Sequence, residues 1–334
     1  MRRFSIVIIL ASFVALVGAI QASAQAYKFT RKKHYISVGG ALNSMHYFGD
    51  LAPINRESID VSTDLSFTRP NISAYIQYRF LPRITARGML SFGLLAGDDR
   101  NAKENPDEDF NFRGQRNLHF RSTITEIAAL LVVDLFANQG VYYRRPKIPI
   151  PYITFGIAAF HFNPQGREIA PSNEPGLSEA ERYLRGTPTD NWVNLKDFKT
   201  EGEDYSNIAI AIPFGIGVRY KLTNHVDIGL EISARYTLTD YIDDVSGDYI
   251  DYSDYTPEQI GYAYRSLSPE WSNGDTRDPE LYENITVLQQ DGYVIGNTAL
   301  PGEIRGSSDR DVYGMVGIHA NYIFGGSVRS PKFR

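Results

Sequence analysis

Seven charged residues raise the first chemical question in this chain. Arg79, Arg87, Glu126, Arg219, Asp227, Glu231 and Arg235 all fall on the polar side of segments whose polarity alternates residue by residue. Both signs of charge are present, and a charge withdrawn from water persists only when it is paired. Such a set suits a proton or ion path, an active site, or an ion-pair lattice that fills a narrow interior. Glu231 and Arg235 share one face of one extended segment, and Arg219 lies across a tight turn from them. The lattice is the preferred reading, because a small closed sheet has room for side chains and little else.

Other chemistry is thin. Asp243, Asp244, Asp248 and Asp251 offer hard oxygen donors at close spacing, which suits calcium, but the spacing is not that of a calcium loop and the candidate is weak. His34, His46, His119, His161, His225 and His319 are scattered without metal-ligand spacing. The chain has no cysteine, so disulfides and thiolate metal sites are excluded. Neither a Gly-x-Ser-x-Gly elbow nor a phosphate loop occurs. The residues therefore predict no enzyme, no cofactor and no small-molecule substrate.

The elements that must position these charges are strands. In Val226–Leu238, Val226, Ile228, Leu230, Ile232, Ala234, Tyr236 and Leu238 alternate with Asp227, Gly229, Glu231, Ser233, Arg235 and Thr237. A strand turns successive side chains to opposite faces, so one face here is apolar and the other charged. Similar segments run near Tyr35–Asn43, Asn71–Phe80, Ile84–Leu94, Arg121–Leu135, Tyr152–Phe162, Asn207–Tyr220 and Val312–Phe324. In the fourth, Ile127, Ala129, Leu131, Val133 and Leu135 are expected outward and Glu126 inward, with a bulge expected to break the register. The fifth is apolar throughout and its facing is open. Too many strands share this pattern, with too many charges on the polar face, for a water-soluble sheet. The pattern predicts an all-β chain: one antiparallel transmembrane β-barrel of about eight strands, lipid outside and a polar lumen inside.

Length, leader and loops agree. Of the 334 residues, Met1–Ala26 reads as a secretory signal, with Arg2 and Arg3, an apolar run Phe4–Ile20 and a small-residue cleavage site. No cysteine follows that site, so a lipid anchor is excluded. The mature segment 27–334 lacks an apolar run long enough for a membrane helix and must span as a barrel if it spans at all. Tyr (22) and Phe (18) are plentiful, as interfacial girdles require. The mean hydropathy of −0.29 is that of a soluble protein, but alternating strands and polar loops dilute the apolar signal. Long connections at 49–69, 96–117, 163–206 and 240–310 alternate with short ones, and a tail at 325–334 follows the last strand. An even strand count puts all the long loops outside the cell. Capping boxes at Ser178–Glu181 and Thr256–Gln259 predict short helices to about Leu184 and about Leu267, so the loops should form a structured cap.

Charge is sorted by side. The last long loop is acidic, with Arg265, Arg277 and Arg305 as its strong bases. The opposite side is basic. Arg144, Arg145 and Lys147 in the intermediate turn, with Arg329 and Lys332 in the tail, are candidates for docking a periplasmic partner or lipid head groups. Export and a net charge of −5 argue against nucleic acid.

Several segments then look familiar. Tyr47-Phe48-Gly49-Asp50-Leu51, Phe162-Asn163-Pro164, Ile212–Tyr220, Thr239–Tyr249, and Arg305-Gly306 with Asp311-Val312-Tyr313 together resemble PorG-type outer-membrane barrels of the type IX secretion system. The most specific piece is Asp243-Asp244-Val245-Ser246-Gly247. The resemblance implies a non-enzymatic outer-membrane component associated with a periplasmic ring lipoprotein and its partner protein, supporting assembly or anchoring of the secretion machine. The alternative is a surface-binding, adhesin-like barrel that uses its loop cap. A lipid- or protein-hydrolysing barrel is a distant third.

Overall fold

The computed structural model describes residues 33–51, 68–101, 112–138, 140–290, 293–296 and 298–325. The signal segment, most of loop 49–69, the middle of loop 96–117 and the tail carrying Arg329 and Lys332 lie outside them. In chain order the elements are β1 (Tyr35–Phe48), β2 (Arg69–Arg79), β3 (Ile84–Asp98), α1 (Phe112–Arg116), β4 (His119–Asp134), β5 (Ile150–His161), β6 (Pro164–Ala170), α2 (Glu179–Leu184), β7 (Thr187–Asn194), β8 (Ile208–Lys221), β9 (Val226–Thr237), α3 (Pro257–Ala263), β10 (Val287–Gln290), β11 (Tyr293–Gly296) and β12 (Val312–Phe324).

Eight of the strands close into a ring in the order β1-β2-β3-β4-β5-β8-β9-β12, with β12 returning to β1. Every pairing is antiparallel. Closure leaves no free edge, so the wall's backbone groups find their partners within the sheet, as a bilayer demands. No described helix is long and apolar enough to cross a membrane.

The alternation works as the spacing predicts. Leu42, Ile72, Leu90, Ile216, Leu230, Ile232 and Ile318 are all more than half exposed on the outer wall. In water such a continuous apolar band would be untenable; against hydrocarbon it is the solvated face. The fifth strand, whose facing was open, sends Tyr152, Thr154, Ala158 and Phe160 inward and Ile157 outward.

The fourth strand corrects an expectation. Its pairing with β3 runs unbroken from Ile84↔Val133 to Asp98↔His119, and its pairing with β5 is equally regular. No bulge interrupts it. The pattern looked poor because Ile124, Ala128, Leu130 and Val132 are apolar yet face inward. Val133, expected against lipid, is buried.

The external loops hold more strand than their sequence suggested. β6 pairs with the first turns of β4 at Arg121↔Gln165, and β7 pairs with β6, so the barrel wall continues as a two-stranded flap above the membrane. β10 and β11 form a separate hairpin. Both capping boxes are present. Ser178 and Glu181 exchange side-chain-to-backbone bonds at the start of α2, and Thr256 and Gln259 do so at α3. The second helix ends at Ala263, short of the expected Leu267, where Tyr264 turns to an extended conformation.

A narrow ring needs its interior shaped residue by residue. Gly217 faces inward beside Tyr152, where a Cβ would stand 2.3 Å from the ring; Gly39 meets Tyr75 in the same way at 2.4 Å. Large aromatic rings thus fill the lumen where the wall is smallest. The apolar filling of Met45, Tyr47, Phe160, Tyr313 and Met315 continues without a break into cap residues Phe162, Ile242, Val245 and Tyr262. The cap adds a second apolar cluster around Tyr252, Ile260, Tyr264 and Ile285.

The outer wall makes a depth-dependent prediction. Ile232→Arg, in mid-strand, should destabilise the folded barrel in lipid vesicles by about 2–4 kcal/mol, whereas Leu222→Arg in the β8–β9 turn should cost about 0–1 kcal/mol. Urea titration of the vesicle-inserted protein measures both, and equal costs at the two depths would contradict a membrane belt.

Candidate functional site

The inward charges form three storeys. At the periplasmic mouth Asp134 receives two arginines: Arg79 Nη1 stands 3.3 Å from Oδ2, and Arg219 pairs with the same oxygen. Beside it Arg145 grips Asp227 with both terminal nitrogens, Nη2 at 2.8 Å from Oδ1. Lys221 Nζ donates to the carbonyls of Tyr143 and Arg145 at 2.7 and 3.1 Å. In the middle, Arg87 Nη1 donates to Glu231 at 2.7 Å. Tyr152 donates to the same carboxylate at 2.8 Å and lies 2.8 Å from His319 Nε2. Tyr75 completes that group, 3.3 Å from His319 Nδ1. Nearest the cap, Arg235 Nε is 3.2 Å from Glu126 and the Tyr313 hydroxyl donates to Glu126 at 2.6 Å.

All seven charges picked from the sequence therefore lie in the lumen, and each has a partner of opposite sign. The partners differ from the local ones suggested by spacing. Glu231 and Arg235 do not pair with each other; each reaches across to β3 or β4. The cavity left among Tyr75, Arg87, Glu231, Arg235 and His319 measures about 20 Å³, room for roughly one water molecule. Buried pairs of this kind specify more than they stabilise, since desolvation consumes most of the Coulomb gain.

Three charged members were missed: Asp134, Arg145 and Lys221, the last at the inward end of β8. Asp134 shares the parity of Glu126 on β4, so the alternation did point to it. Arg145 was placed on the docking face instead. It is 5% exposed and turned into the barrel. The chain folds back through a short 3-10 turn at Tyr142–Arg144, seats Tyr142 in the mouth and carries Arg145 to Asp227. Arg144 and Lys147 remain exposed beneath the barrel.

The Asp-Asp-Val-Ser-Gly segment is the knot of the cap. Asp243 accepts the amides of Leu51 and Val245, both at 3.1 Å. Asp244, at φ +67°, accepts the hydroxyls of Thr200 at 2.5 Å and Tyr205 at 2.6 Å. Val245 is buried, and the Ser246 amide donates to Glu201. The Gly247 carbonyl accepts the amides of Arg305 and Gly306. Arg305 Nη1 ties the group together, 2.6 Å from Glu201 and 2.8 Å from the Asp244 carbonyl. A second acid, Asp311, accepts the Ile242 amide at 2.9 Å and the Tyr47 hydroxyl at 2.5 Å, pinning the knot to β1.

This geometry corrects the calcium candidate. Asp243 and Asp244 are buried and already hold amide and hydroxyl donors, while Asp248 and Asp251 are exposed. Among the described residues no three potential ligands converge on a metal position. The three bases of the acidic loop, Arg265, Arg277 and Arg305, are all buried. Arg277 binds four backbone carbonyls, of Ser266, Ser268, Gly114 and Gln115.

One serine–histidine contact exists on the outer wall. Ser44 Oγ lies 3.1 Å from His46 Nε2, but its hydroxyl is shared with the Val316 carbonyl at 3.1 Å. Among the described residues no carboxylate hydrogen-bonds to His46, the contact that would orient the base of a hydrolytic triad.

Taken together, a closed ring, an outward apolar belt and a lumen packed with paired charges define a lipid-solvated barrel of the bacterial outer membrane. The chain belongs to the family described as outer membrane protein beta-barrel domain, whose family model matches residues 12–265. No curated protein matches the chain. Among solved structures it is similar to the outer membrane protein OprG of Pseudomonas aeruginosa, at 10% identity and a TM-score of 0.35, covering 88% of this chain and 98% of that one. Neisserial surface protein A aligns at 10% identity and a TM-score of 0.32, covering 87% and 97%. Ail, the attachment invasion locus protein of Yersinia pestis, aligns at 8% identity and a TM-score of 0.29, covering 87% and 97%.

Two predictions follow from the ion pairs. Arg145→Ala leaves Asp227 buried without its partner and should cost about 3–5 kcal/mol. The neighbouring Arg144→Ala should stay within about 0.5 kcal/mol, so equal midpoints in denaturant would contradict the buried assignment. The cap should also respond to pH. Burial raises the Asp244 carboxyl to about 6, with Arg305 opposing that rise. Burial also lifts Asp243, with Asp311 and Asp50 adding to it. A carboxyl whose folded pKa is raised favours the folded state fully below its ordinary value near 4 and loses that contribution as pH climbs through its folded value. Hydrogen exchange at Val245 and Ser246, corrected for intrinsic rate, should show more protection at pH 5 than at pH 7.5; the reverse order would refute the sign.

Proposed function

We propose that this barrel is a non-enzymatic anchor that helps assemble or hold a type IX protein-secretion machine at the outer membrane. The observation that carries this reading is the sealed lumen. Ion pairs close the periplasmic mouth, aromatic rings fill the middle, and the cap continues the packed interior outward. A barrel of this kind has its surfaces left to work with. The buried Asp-Asp-Val-Ser-Gly knot, the most specific part of the resemblance to PorG-type barrels, supports the family role. The exposed periplasmic cations Arg144 and Lys147 support contact with the ring lipoprotein and its partner protein, and Arg329 and Lys332 extend the same basic character.

The test is photo-crosslinking from positions 144 and 147 in intact cells, combined with deletion of the gene. Crosslinks to the ring lipoprotein or its partner are expected, with secretion falling at least tenfold on deletion. Normal secretion without such crosslinks would sink the proposal. A second reading, a surface-binding barrel, is favoured by the cap's own apolar core, which gives the external face a fixed shape. In that case crosslinks should form only from the cap, for instance from the fully exposed Asp190.

A further inference from the structure

Where β6 joins β4, the outer wall opens into a cleft of about 600 Å³ lined by Arg69, Arg100, Arg121, Arg167 and Trp192. Arg121 and Arg167 both stand over the Trp192 ring, their guanidinium carbons 4.0 and 4.5 Å from its centroid. Two like charges therefore share a single ring. Their present partners do not neutralise them. Arg121 Nε donates to the neutral Gln165 amide oxygen at 3.1 Å. Arg167 donates to the Asp190 carbonyl at 2.7 Å, and the Asp190 carboxylate is 3.9 Å away and fully in solvent. Arg100 pairs loosely with an exposed Asp275 at 3.3 Å. Among the described residues lining the cleft, the carboxylate is Asp98, which accepts from the Ser272 hydroxyl and the Arg100 amide. Arg121 and Arg167 thus share an aromatic platform, and no carboxylate among the described residues lies closer to either than Asp190 at 3.9 Å.

Its position names the occupant. Arg121 lies on the outward face of β4, in line with Thr123, Thr125 and the lipid-exposed Ile127. Its register partner on β3 is Ala96, just above Leu94 and the exposed Phe92. Greasy wall therefore runs straight up into the basic cleft, at the level where the external leaflet presents its head groups. Guanidinium groups bind phosphate through paired N–H donors, and basic pockets beside membrane-spanning elements select anionic head groups.

We propose that this cleft binds the phosphorylated head group of an outer-leaflet glycolipid, with Arg121 and Arg167 on the phosphate and the acyl chains along Phe92 and Ile127. The proposal does not depend on the secretion role.

The experiment uses the whole protein in nanodiscs or detergent, titrated with purified lipid A and followed by native mass spectrometry. Wild type should bind lipid A at least tenfold more tightly than its dephosphorylated form, a comparison that needs no variant. Arg121→Gln with Arg167→Gln should lose that preference while keeping the heat-modifiable gel shift of a folded barrel. Lys199→Gln, at an exposed cap lysine that does not line the cleft, should keep it. Equal binding of the two lipids, or a folded double variant that still prefers phosphate, would overturn the proposal. So would displacement of lipid A by millimolar inorganic phosphate, which would mark a site for soluble anions instead.

Discussion

The narrowness of an eight-stranded ring governs everything else in this protein. At that size the lumen admits side chains and almost no water. Any charge pointing inward must then find its counter-charge inside the ring or remain unsolvated. The structure answers by reaching across: Arg87 on β3 meets Glu231 on β9, and Glu126 on β4 meets Arg235 on β9. Each bond fixes the distance and rotation of strands far apart in sequence. The lattice thereby specifies register in a way that a purely apolar filling, tolerant of sliding, does not.

The same constraint explains the aromatic and glycine pairs. Tyr152 and Tyr75 each fit because the wall beside them is glycine, and each hydroxyl then serves the charge network at His319 and Glu231. Packing and polarity are satisfied by the same side chain. The cap repeats the logic one level up. Arg305, Arg277 and Arg116 are buried cations whose partners are mostly backbone carbonyls and a few carboxylates of the loops themselves. Loops that would otherwise be costly to order are tied to the barrel rim through Asp243 at Leu51 and Asp311 at Tyr47.

The wall was legible because it obeys a two-residue period that lipid enforces on one side. Ile208, Ile210, Ile212, Phe214 and Ile216 alternate without exception, and all are exposed. Legibility failed where the second solvent was something other than lipid or water. On β4, Ile124 to Val132 pack an apolar stretch of lumen, so both faces are greasy and periodicity says little. The strands β6 and β7 were hidden because Gly166, Pro188 and their polar neighbours read as loop; their pairing is decided by the rim of β4. Among the site residues, inward parity was local and readable for Arg79, Arg87, Arg219, Asp227 and Arg235. Who pairs with whom depends on ring closure. Arg145 sits in a turn whose basic composition matches a solvated surface, and only the fold-back at Tyr142 takes it inside.

Sealing has a consequence for where function can reside. A porin places its chemistry in the lumen; here the lumen is occupied by its own scaffold. Three surfaces remain: the periplasmic turns, the lipid-facing wall and the cap. They are chemically distinct. The turns carry solvated cations at Arg144 and Lys147, the wall is apolar up to the Arg121 cleft, and the last loop keeps Arg265, Arg277 and Arg305 buried while exposing acids such as Asp248 and Asp251. Three chemically different faces thus sit on one closed ring whose cross-lumen pairs join β3 and β4 to β9.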